Sequence, residues 1–361
     1  MIESRVKVIH NHKPQSKKTS KISLILLGLL SCSVSFADIT VHQSVAPSAT
    51  MAWSDAQANQ LLSNDQPAAQ VTVQIQRTES KPRTSGTVLN NSTVANKYPT
   101  TANNYNTARA GQPNVSARAA IVMDAQTGEV LYGKNTSSTV PIASITKLMT
   151  AVITADARLN MSEKITLQPI DFAGAGGKNS SSTLRAGDTL NRAEVLLLAL
   201  MKSENPAAAA LARTYPGGRP AFVAAMNAKA RQLGMTSTHY VESTGLDPSN
   251  VSSARDLAIL VSSASQYGLI RQFSTTAHYD FNLGYRVLKS NNTNALVRNG
   301  AWNINISKTG YINEAGRCVV MSATVNQRPA VIVLLGASST VARNNDATNL
   351  LNWLSSGITT L

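Results

Sequence analysis

Three short motifs in the second half of the chain contain the residue types that acyl transfer by a serine requires. Ser144 and Lys147 stand three positions apart at the start of a predicted helix, which places both side chains on one face. A serine hydroxyl is a poor nucleophile unless a neighbouring base takes its proton, and a lysine can do so once burial lowers its pKa. Because the residues around Lys147 are apolar, the pair predicts a lysine-activated serine nucleophile.

Two further motifs follow, and their order strengthens the first. A Ser-Glu-Asn run begins at Ser203 between two predicted helices, and a Lys-Thr-Gly run begins at Lys308 on a predicted strand. Each run is short enough to arise by chance, since another Ser-x-x-Lys begins at Ser4. In this order and in these settings, however, they form the trio of penicillin-binding proteins and class A β-lactamases.

Other chemistries find little support in the sequence. The chain has five histidines, and no two of them stand four positions apart as in a helical zinc motif. Its two cysteines exclude a disulfide scaffold and a thiolate-rich metal site, and Cys318 lies in an apolar stretch typical of a buried thiol. Neither a dinucleotide-binding glycine pattern nor a P-loop occurs. We therefore expect no metal and no cofactor.

The basic charge of the chain lies partly in its first residues. The 361-residue sequence has a formal net charge of +14, and six basic side chains in its first 37 residues precede an apolar run over 22–30. That run is shorter than the roughly 20 residues of a membrane-spanning helix, and small residues at Ser35 and Ala37 fit an export cleavage site. We predict a signal peptide over 1–37, with an uncleaved anchor or lipidation at Cys32 as alternatives.

The remaining chain divides by composition into 38–113 and 114–361. The first range is rich in Ser, Thr, Asn, Gln and Ala without a lasting apolar period, so it cannot bury enough apolar surface to offset its ordering entropy. It is predicted to be a flexible, low-complexity tether. The second range contains periodic apolar segments throughout and is predicted to be one domain that carries the three motifs.

The elements of this domain are predicted in the order strands, helices, strands and a last helix. Segments 120–124 and 129–132 flank a turn with Gly128 and predict a hairpin. Helices are predicted over 144–156, 190–201, 220–233 and 344–354, two more begin after the N-caps Asn205 and Ser253, and strands are predicted over 279–288, 302–312, 317–325 and 331–335. This order indicates an α+β fold, an antiparallel sheet with packed helices in which the first hairpin joins the later strands.

Strand alternation indicates where the Lys-Thr-Gly run points. Ile304, Ile306 and Lys308 are two positions apart and share one face of the predicted strand. We therefore expect Lys308 to point toward the buried helices.

The domain is similar to the low-molecular-mass penicillin-binding proteins, which are serine D-Ala-D-Ala peptidases of family S11. Segment 141–150 resembles their nucleophile segment, and segments 201–207, 215–218 and 307–318 resemble the D-alanyl-D-alanine endopeptidase branch, the penicillin-binding protein 7 class. The resemblance covers the domain and neither the leader nor the tether. It implies the penicillin-binding protein/β-lactamase-like transpeptidase fold.

The resemblance also implies the catalytic roles. Ser144 is the expected nucleophile, which forms an acyl-enzyme with the D-Ala carbonyl, and Lys147 is its expected general base. Ser203 is expected to hydrogen-bond near the Lys147 ammonium and to relay a proton to the leaving amine. Asn205 is expected to orient Lys147 and to contact the substrate amide.

The implied substrate-binding residues lie on the strand of the Lys-Thr-Gly run. Lys308 is expected to supply positive charge, Thr309 to contact the substrate, and Gly310 to leave room for the substrate along the strand edge. The backbone N–H groups of Ser144 and Tyr311 are the expected oxyanion hole.

The implied activity is hydrolysis of peptidoglycan cross-links by a periplasmic endopeptidase. Its expected partners are peptidoglycan peptide stems and, as covalent inhibitors, β-lactams, with no nucleic acid and with peripheral or no membrane contact after processing. A D-alanyl-D-alanine carboxypeptidase and a non-catalytic peptidoglycan-binding module remain alternatives. A class A β-lactamase is a weaker one, because its Glu-x-x-Leu-Asn loop has no good match: the nearest segment, from Glu242, lacks the Asn.

Overall fold

The structure of the protein is a computed structural model that describes residues 111–356. The predicted signal peptide over 1–37, the lipidation alternative at Cys32 and the predicted tether up to residue 110 lie outside the described residues. Among the described helices, none is both long enough and apolar enough to cross a membrane.

A five-stranded antiparallel sheet forms the centre of the described domain. The strands are β1 (Ala119–Asp124), β2 (Val130–Lys134), β3 (Val140–Pro141), β4 (Lys164–Thr166), β5 (Thr189–Asn191), β6 (Val251–Ser252), β7 (His278–Asn282), β8 (Val287–Asn291), β9 (Asn303–Ile312), β10 (Gly316–Val325) and β11 (Arg328–Ala337). The central sheet has the order β2-β1-β11-β10-β9. The predicted first hairpin therefore joins the C-terminal strands, and Gly128 in its turn has a φ of +76°.

Eight α-helices cover the sheet and build the rest of the described domain. They are α1 (Thr146–Asp156), α2 (Arg192–Leu197), α3 (Asn205–Arg213), α4 (Gly218–Gln232), α5 (Ala254–Ala264), α6 (Gly268–Thr275), α7 (Ala295–Asn299) and α8 (Thr340–Ser355). A 3₁₀ turn, Ala143–Ile145, precedes α1, and a π turn, Leu198–Lys202, follows α2. The predicted α+β class is confirmed.

The two faces of the sheet bury two separate apolar clusters. Ile121 of β1 and Val333 of β11 pack with helical residues such as Leu148, whereas Val122 of β1 packs with Leu350 of α8. This alternation is the period-2 pattern of a strand buried on both faces. The sheet thus separates the larger helical layer from α8.

Several predicted elements differ from the observed ones. The predicted strand over 279–288 is a separate hairpin, β7 and β8, which turns at Gly284 and pairs outside the central sheet. The predicted helix over 190–201 begins with β5, continues as α2 and ends in the π turn. Helix α6 has no counterpart in the prediction, because its eight residues are too few to show a helical period over the roughly 11 to 18 positions that such a pattern needs.

The predicted common face of Ile304, Ile306 and Lys308 is wrong for Ile304. The register between β9 and β10 shifts next to Ile306, so that the extra residue forms a bulge. Ile306 is buried in the helical layer, whereas Ile304 packs in the cluster under α8. Lys308 lies beyond the bulge and still points toward the helical layer, where its ammonium contacts Ser203.

Candidate active site

The predicted nucleophile and base lie in direct contact at the start of α1. Ser144 is in the 3₁₀ turn before the helix, and Lys147 is in its first turn with no exposed surface. The Lys147 ammonium donates a hydrogen bond to the Ser144 hydroxyl over 2.9 Å. The i, i+3 spacing therefore produces the pair that the sequence predicts.

Two further acceptors fix the direction of the Lys147 amine. Its Nζ donates to Asn205 Oδ1 and to the backbone carbonyl of Thr244, each over 2.7 Å. A neutral amine keeps two N–H bonds and one lone pair. When both N–H bonds point at these oxygens, the lone pair is left for the Ser144 hydroxyl, as a general base requires.

The electrostatic surroundings bring Lys147 into the range of a base at neutral pH. Burial lowers its pKa from 10.5 to about 7, while the negative charges of Glu242 and Glu204 act in the opposite direction. A substantial fraction of the amine is therefore neutral near pH 7. Burial thus lowers the pKa of Lys147 in the direction that the sequence analysis expects.

Asn205 occupies a different helical position from the predicted one. It is the first residue of α3, and Glu204 is the N-cap residue, so the prediction of Asn205 as the cap is wrong. The Asn205 side-chain oxygen is used by Lys147 instead. A contact with a catalytic amine thus replaced the local capping bond that the residue type favours.

Ser203 reaches the site from the end of the π turn, where its φ is +64°. The Lys308 ammonium donates to the Ser203 hydroxyl over 2.8 Å and to the Thr309 carbonyl over 2.8 Å. In this arrangement Ser203 contacts Lys308 and not Lys147, which differs from the contact that the family resemblance implies. Burial lowers the pKa of Lys308 well below its usual value, and the charge of Lys147 adds to this effect.

Glu204 holds the chain segment that faces this serine. It is buried, and its carboxylate accepts hydrogen bonds from the Thr183 amide and from the hydroxyls of Thr183 and Ser182. The middle residue of the Ser-Glu-Asn run therefore anchors a neighbouring loop.

Gly310 is required by the close approach of β9 to the nucleophile turn. A Cβ atom at this position would lie 3.0 Å from the Ile142 carbonyl oxygen and 3.1 Å from the Ser144 amide nitrogen. Both contacts are tighter than ordinary van der Waals distances. Gly310 thus brings β9 against the nucleophile turn, in addition to any room that it leaves for a substrate.

The other two residues of this part of β9 lie at the same opening. Thr309 donates a hydrogen bond to the Thr293 hydroxyl over 2.7 Å, and Tyr311 is 46% exposed. Both line a cavity of about 280 Å³ together with Ser144, Ser203, Thr293, Gly310, Arg317, Thr340 and Arg343. The structure therefore brings five of the eight predicted site residues to the wall of one cavity.

The five predicted site residues that border the cavity are Ser144, Ser203, Thr309, Gly310 and Tyr311. Lys147 and Lys308 lie one hydrogen bond behind it, through Ser144 and Ser203, and Asn205 lies behind Lys147. The cavity therefore presents hydroxyls and the β9 edge, while the groups that can move protons stay out of water.

The sequence analysis missed the loop that supplies the third acceptor of Lys147. Gly245 has a φ of +82°, and a Cβ atom there would lie 1.9 Å from the Ala143 carbonyl oxygen. The Glu242 carboxylate accepts hydrogen bonds from the amides of Thr244 and Gly245 and from the Asn250 side chain. These contacts hold the Thr244 carbonyl against Lys147. The Thr-Gly pair was visible in the sequence, but nothing local connected it with the nucleophile.

Arg343 is the second group that sequence reasoning missed. It is 5% exposed, lines the cavity, and forms no ion pair with a carboxylate among the described residues. Burial lowers its pKa to about 10, and the positive charge of Arg317 acts in the same direction. A buried cation without an acid is a binding group for an anion.

A larger cavity, about 370 Å³, lies on the other side of the same loop. Glu242, Ser243 and Thr244 border it together with apolar residues such as Val223 and Leu246. It contains none of the eight predicted site residues. We therefore assign the chemistry to the smaller cavity, where the nucleophile lies.

The remaining reactive groups do not add a second centre. Cys318 is buried as predicted, and burial raises the pKa of its thiol to about 11, so it stays protonated at neutral pH. Over residues 111–356, no group of three His, Cys, Asp or Glu side chains is arranged to hold a metal ion.

Comparisons with known proteins agree on one family. Residues 106–339 match the family of D-alanyl-D-alanine carboxypeptidases, peptidase S11. A D-alanyl-D-alanine endopeptidase of Pseudomonas aeruginosa is 46% identical over 253 residues, which cover 68% of this chain and 79% of the relative. A D-alanyl-D-alanine endopeptidase of Escherichia coli is 43% identical over 251 residues, which cover 69% of this chain and 80% of the relative.

A solved structure shares the architecture of the domain. The crystal structure of the Streptomyces K15 DD-transpeptidase has a TM-score of 0.61 and 30% identity, and the match covers 67% of this chain and 98% of that one. The fold expected from the three motifs is therefore confirmed.

Proposed function

The chain belongs to peptidase family S11, the D-alanyl-D-alanine carboxypeptidases, and on this premise we propose that it hydrolyses D-alanyl cross-links of peptidoglycan through an acyl-enzyme on Ser144. One observation carries the proposal: a buried lysine whose pKa is about 7 donates to the Ser144 hydroxyl and to two fixed oxygens. This arrangement supplies the general base that a serine nucleophile needs.

Acylation begins with the neutral form of Lys147. Its lone pair takes the Ser144 proton while Oγ attacks the D-Ala carbonyl carbon, and the carbonyl oxygen becomes an oxyanion. The backbone N–H groups of Ser144 and Tyr311 are our proposed donors to that oxygen. Gly310 lets β9 lie close enough to the nucleophile turn for both groups to serve one site.

Collapse of the tetrahedral intermediate breaks the carbon–nitrogen bond. The leaving amine needs a proton, and Ser203 is placed to pass it on because its hydroxyl borders the cavity and accepts from Lys308. Ser203 gives its hydroxyl proton to the amine and takes one from Lys308, and the proton that Lys147 took from Ser144 replaces the one that Lys308 gave, so that Lys147 is neutral again. Water then attacks the ester while neutral Lys147 accepts its proton, and Lys147 returns that proton to Ser144 Oγ as the ester bond breaks and the free carboxyl product leaves.

We propose that the carboxylate of the leaving residue is bound by two groups of the cavity wall. Arg343 and the Thr309 hydroxyl both border it. Charge-assisted hydrogen bonds of this kind fix orientation as well as adding affinity. We propose that they align the scissile bond with Ser144.

The cross-link is favoured over the terminal D-Ala as substrate because the relatives at 46% and 43% identity carry the name endopeptidase. Carboxypeptidase activity on single stems is the second candidate, since the matching family carries that name. A β-lactamase is less favoured, because the Glu242 carboxylate is engaged by backbone amides and Asn250. β-Lactams are expected to acylate Ser144 and to form an acyl-enzyme that is hydrolysed slowly.

Location and organisation complete the proposal. We propose that residues 1–37 direct export to the periplasm, that 38–113 form the tether, and that 114–361 form the peptidase domain. Of the formal net charge of +14, residues 1–37 hold +5, and the remaining +9 suits a wall polymer rich in carboxylates.

Chromatography of digested cell-wall sacculi tests this function. Incubation with the protein should convert cross-linked dimers into monomers, and a Ser144→Ala variant should lose both this conversion and labelling by fluorescent penicillin. Cys318→Ala is the matched control and should keep both, because its thiol is buried and does not line the cavity. Release of terminal D-Ala with intact dimers would instead support the carboxypeptidase alternative.

A further inference from the structure

The active-site cavity has more positive charge than one substrate carboxylate requires. Arg317 borders it together with Arg343. Neither guanidinium forms an ion pair with a carboxylate within residues 111–356. A pair of unneutralised arginines beside one opening indicates a ligand with two anionic groups.

Arg317 is held in a defined orientation. It lies on β10 directly opposite Tyr311 of β9, and its guanidinium carbon is 3.5 Å from the centroid of the Tyr311 ring. Stacking engages the flat face of the guanidinium and leaves the N–H groups in its plane for a ligand. The ring thus presents a preoriented cation at the end of the Lys-Thr-Gly strand.

The two arginines also act on each other. Arg343 is buried, whereas Arg317 is half-buried. The positive charge of Arg317 repels that of Arg343 and lowers the pKa of Arg343. An anion that reaches both would relieve this repulsion. A ligand with one carboxylate leaves one of the two charges uncompensated.

The leaving group of a cross-link differs from D-Ala in this respect. Both carry a carboxylate on the carbon next to the scissile nitrogen. In a D-alanyl–diaminopimelyl cross-link, the leaving residue continues through methylene groups to a second stem, which ends in a carboxylate of its own.

We propose that Arg317 binds this second carboxylate and thereby favours cross-links over single stems as substrates. Arg343 serves the carboxylate beside the scissile nitrogen, which both substrates share. This inference rests on the proposed function and adds to it the residue that binds the terminal carboxylate of the acceptor stem.

The test compares two substrates on four forms of the full chain. The substrates are a cross-linked muropeptide dimer with a free acceptor-stem carboxylate and an uncross-linked pentapeptide, and the enzymes are the wild type, Arg317→Gln, Arg317→Lys and Arg231→Gln. Arg231 is an exposed arginine near the end of α4 and serves as the charge-matched control. The acylation rate by fluorescent penicillin, which has one carboxylate, reports whether the catalytic groups remain in place.

For Arg317→Gln, kcat/KM on the dimer should fall between about 10- and 100-fold, the range of one charge-assisted pair, mainly through KM. In the same variant, the rates of D-Ala release from the pentapeptide and of acylation by penicillin should change less than about twofold. Arg317→Lys should recover part of the loss on the dimer. Arg231→Gln should behave as the wild type on both substrates. When the acceptor-stem carboxylate of the dimer is amidated, kcat/KM of the wild type should fall by the same factor as kcat/KM of Arg317→Gln falls on the unmodified dimer.

Three results would overturn the assignment. Equal losses on the dimer and the pentapeptide would show that Arg317 only supports β9. If the wild type cleaves dimers and Arg317→Gln cleaves them at the same rate, Arg317 does not bind the second carboxylate. The endopeptidase function would still stand. A wild type that acylates with penicillin but never cleaves dimers would refute the proposed function, and this inference with it.

Discussion

The two sides of the catalytic cavity solve different electrostatic problems. On the helical side, which consists of Lys147, Asn205 and the 242–246 loop, the buried cation has protein acceptors for all of its hydrogen bonds. On the sheet side, which consists of Lys308, Arg317 and Arg343, the two arginines lack acidic partners among the described residues.

The difference separates proton transfer from substrate capture. Catalysis by a base requires an amine held in one orientation before the substrate arrives, so its partners belong to the protein. Binding of an anion requires charge that the substrate itself neutralises. We therefore expect substitutions on the helical side to lower the rate of acylation and those on the sheet side to weaken binding.

The largest effect is expected for Lys147→Met, which keeps the length of the side chain and removes the base. Loss of general-base catalysis should slow acylation by fluorescent penicillin about 10²- to 10⁴-fold. Stopped-flow labelling measures the rate, and Lys164→Met on exposed β4 is the control. A near-normal acylation rate in Lys147→Met would show that another group takes the Ser144 proton.

Gly245→Ala should have the next largest effect, because its Cβ would overlap the Ala143 carbonyl oxygen at 1.9 Å. Gly284→Ala is a matched control, since Gly284 also has a φ of +82° but would have nothing within 4 Å of its Cβ. Backbone strain should cost both variants about 1 kcal/mol of unfolding free energy, and the overlap should make the loss larger for Gly245→Ala. Only Gly245→Ala should also lose acylation, by about 10²-fold, through displacement of the nucleophile turn.

Equal acylation by these two glycine variants would contradict a steric role of Gly245 in holding the Ser144 turn. Thermal unfolding and penicillin labelling on the same samples separate the two contributions.

Arg343→Gln should affect binding more than the chemical step. Loss of a buried charge-assisted contact should raise KM for D-alanyl peptides about 10- to 100-fold, with a smaller change in kcat. Steady-state release of D-Ala measures both constants, and Arg328→Gln, a partly exposed arginine paired with Asp124, is the control. A fall in kcat alone would place Arg343 on the catalytic side of the comparison.

The smallest effect is expected for Glu242→Gln, which removes a negative charge that raises the pKa of Lys147. Acylation requires neutral Lys147, so its rate should rise with pH through about 7 in the wild type. Without the Glu242 charge, the pKa of Lys147 falls, and this rise should move to lower pH. A rate profile measured between pH 5 and 9 decides the direction of the shift, and movement to higher pH would contradict the electrostatic role of Glu242.

Local patterns predicted much of the fold because they depend on neighbours in sequence. The first hairpin and the Ser253 N-cap, whose hydroxyl accepts from the Asp256 amide, occur as predicted. The errors have long-range causes. Ile304 changed faces because of a bulge against β10, and Asn205 gave up its capping role to contact Lys147, 58 positions away.

The sequence by itself determined the contact between Ser144 and Lys147, since a spacing of three positions at the start of a helix is enough to bring the two side chains together. It also determined the order of the motifs and hence the family. Only the tertiary structure decided the rest of the site. The Thr244 carbonyl is a backbone group without a sequence signature, and Arg343 borders the Ser144 cavity only because α8 packs against β10 and β11 and buries it there. Contacts between distant segments depend on how the sheet and helices pack, which residue types and spacings do not specify.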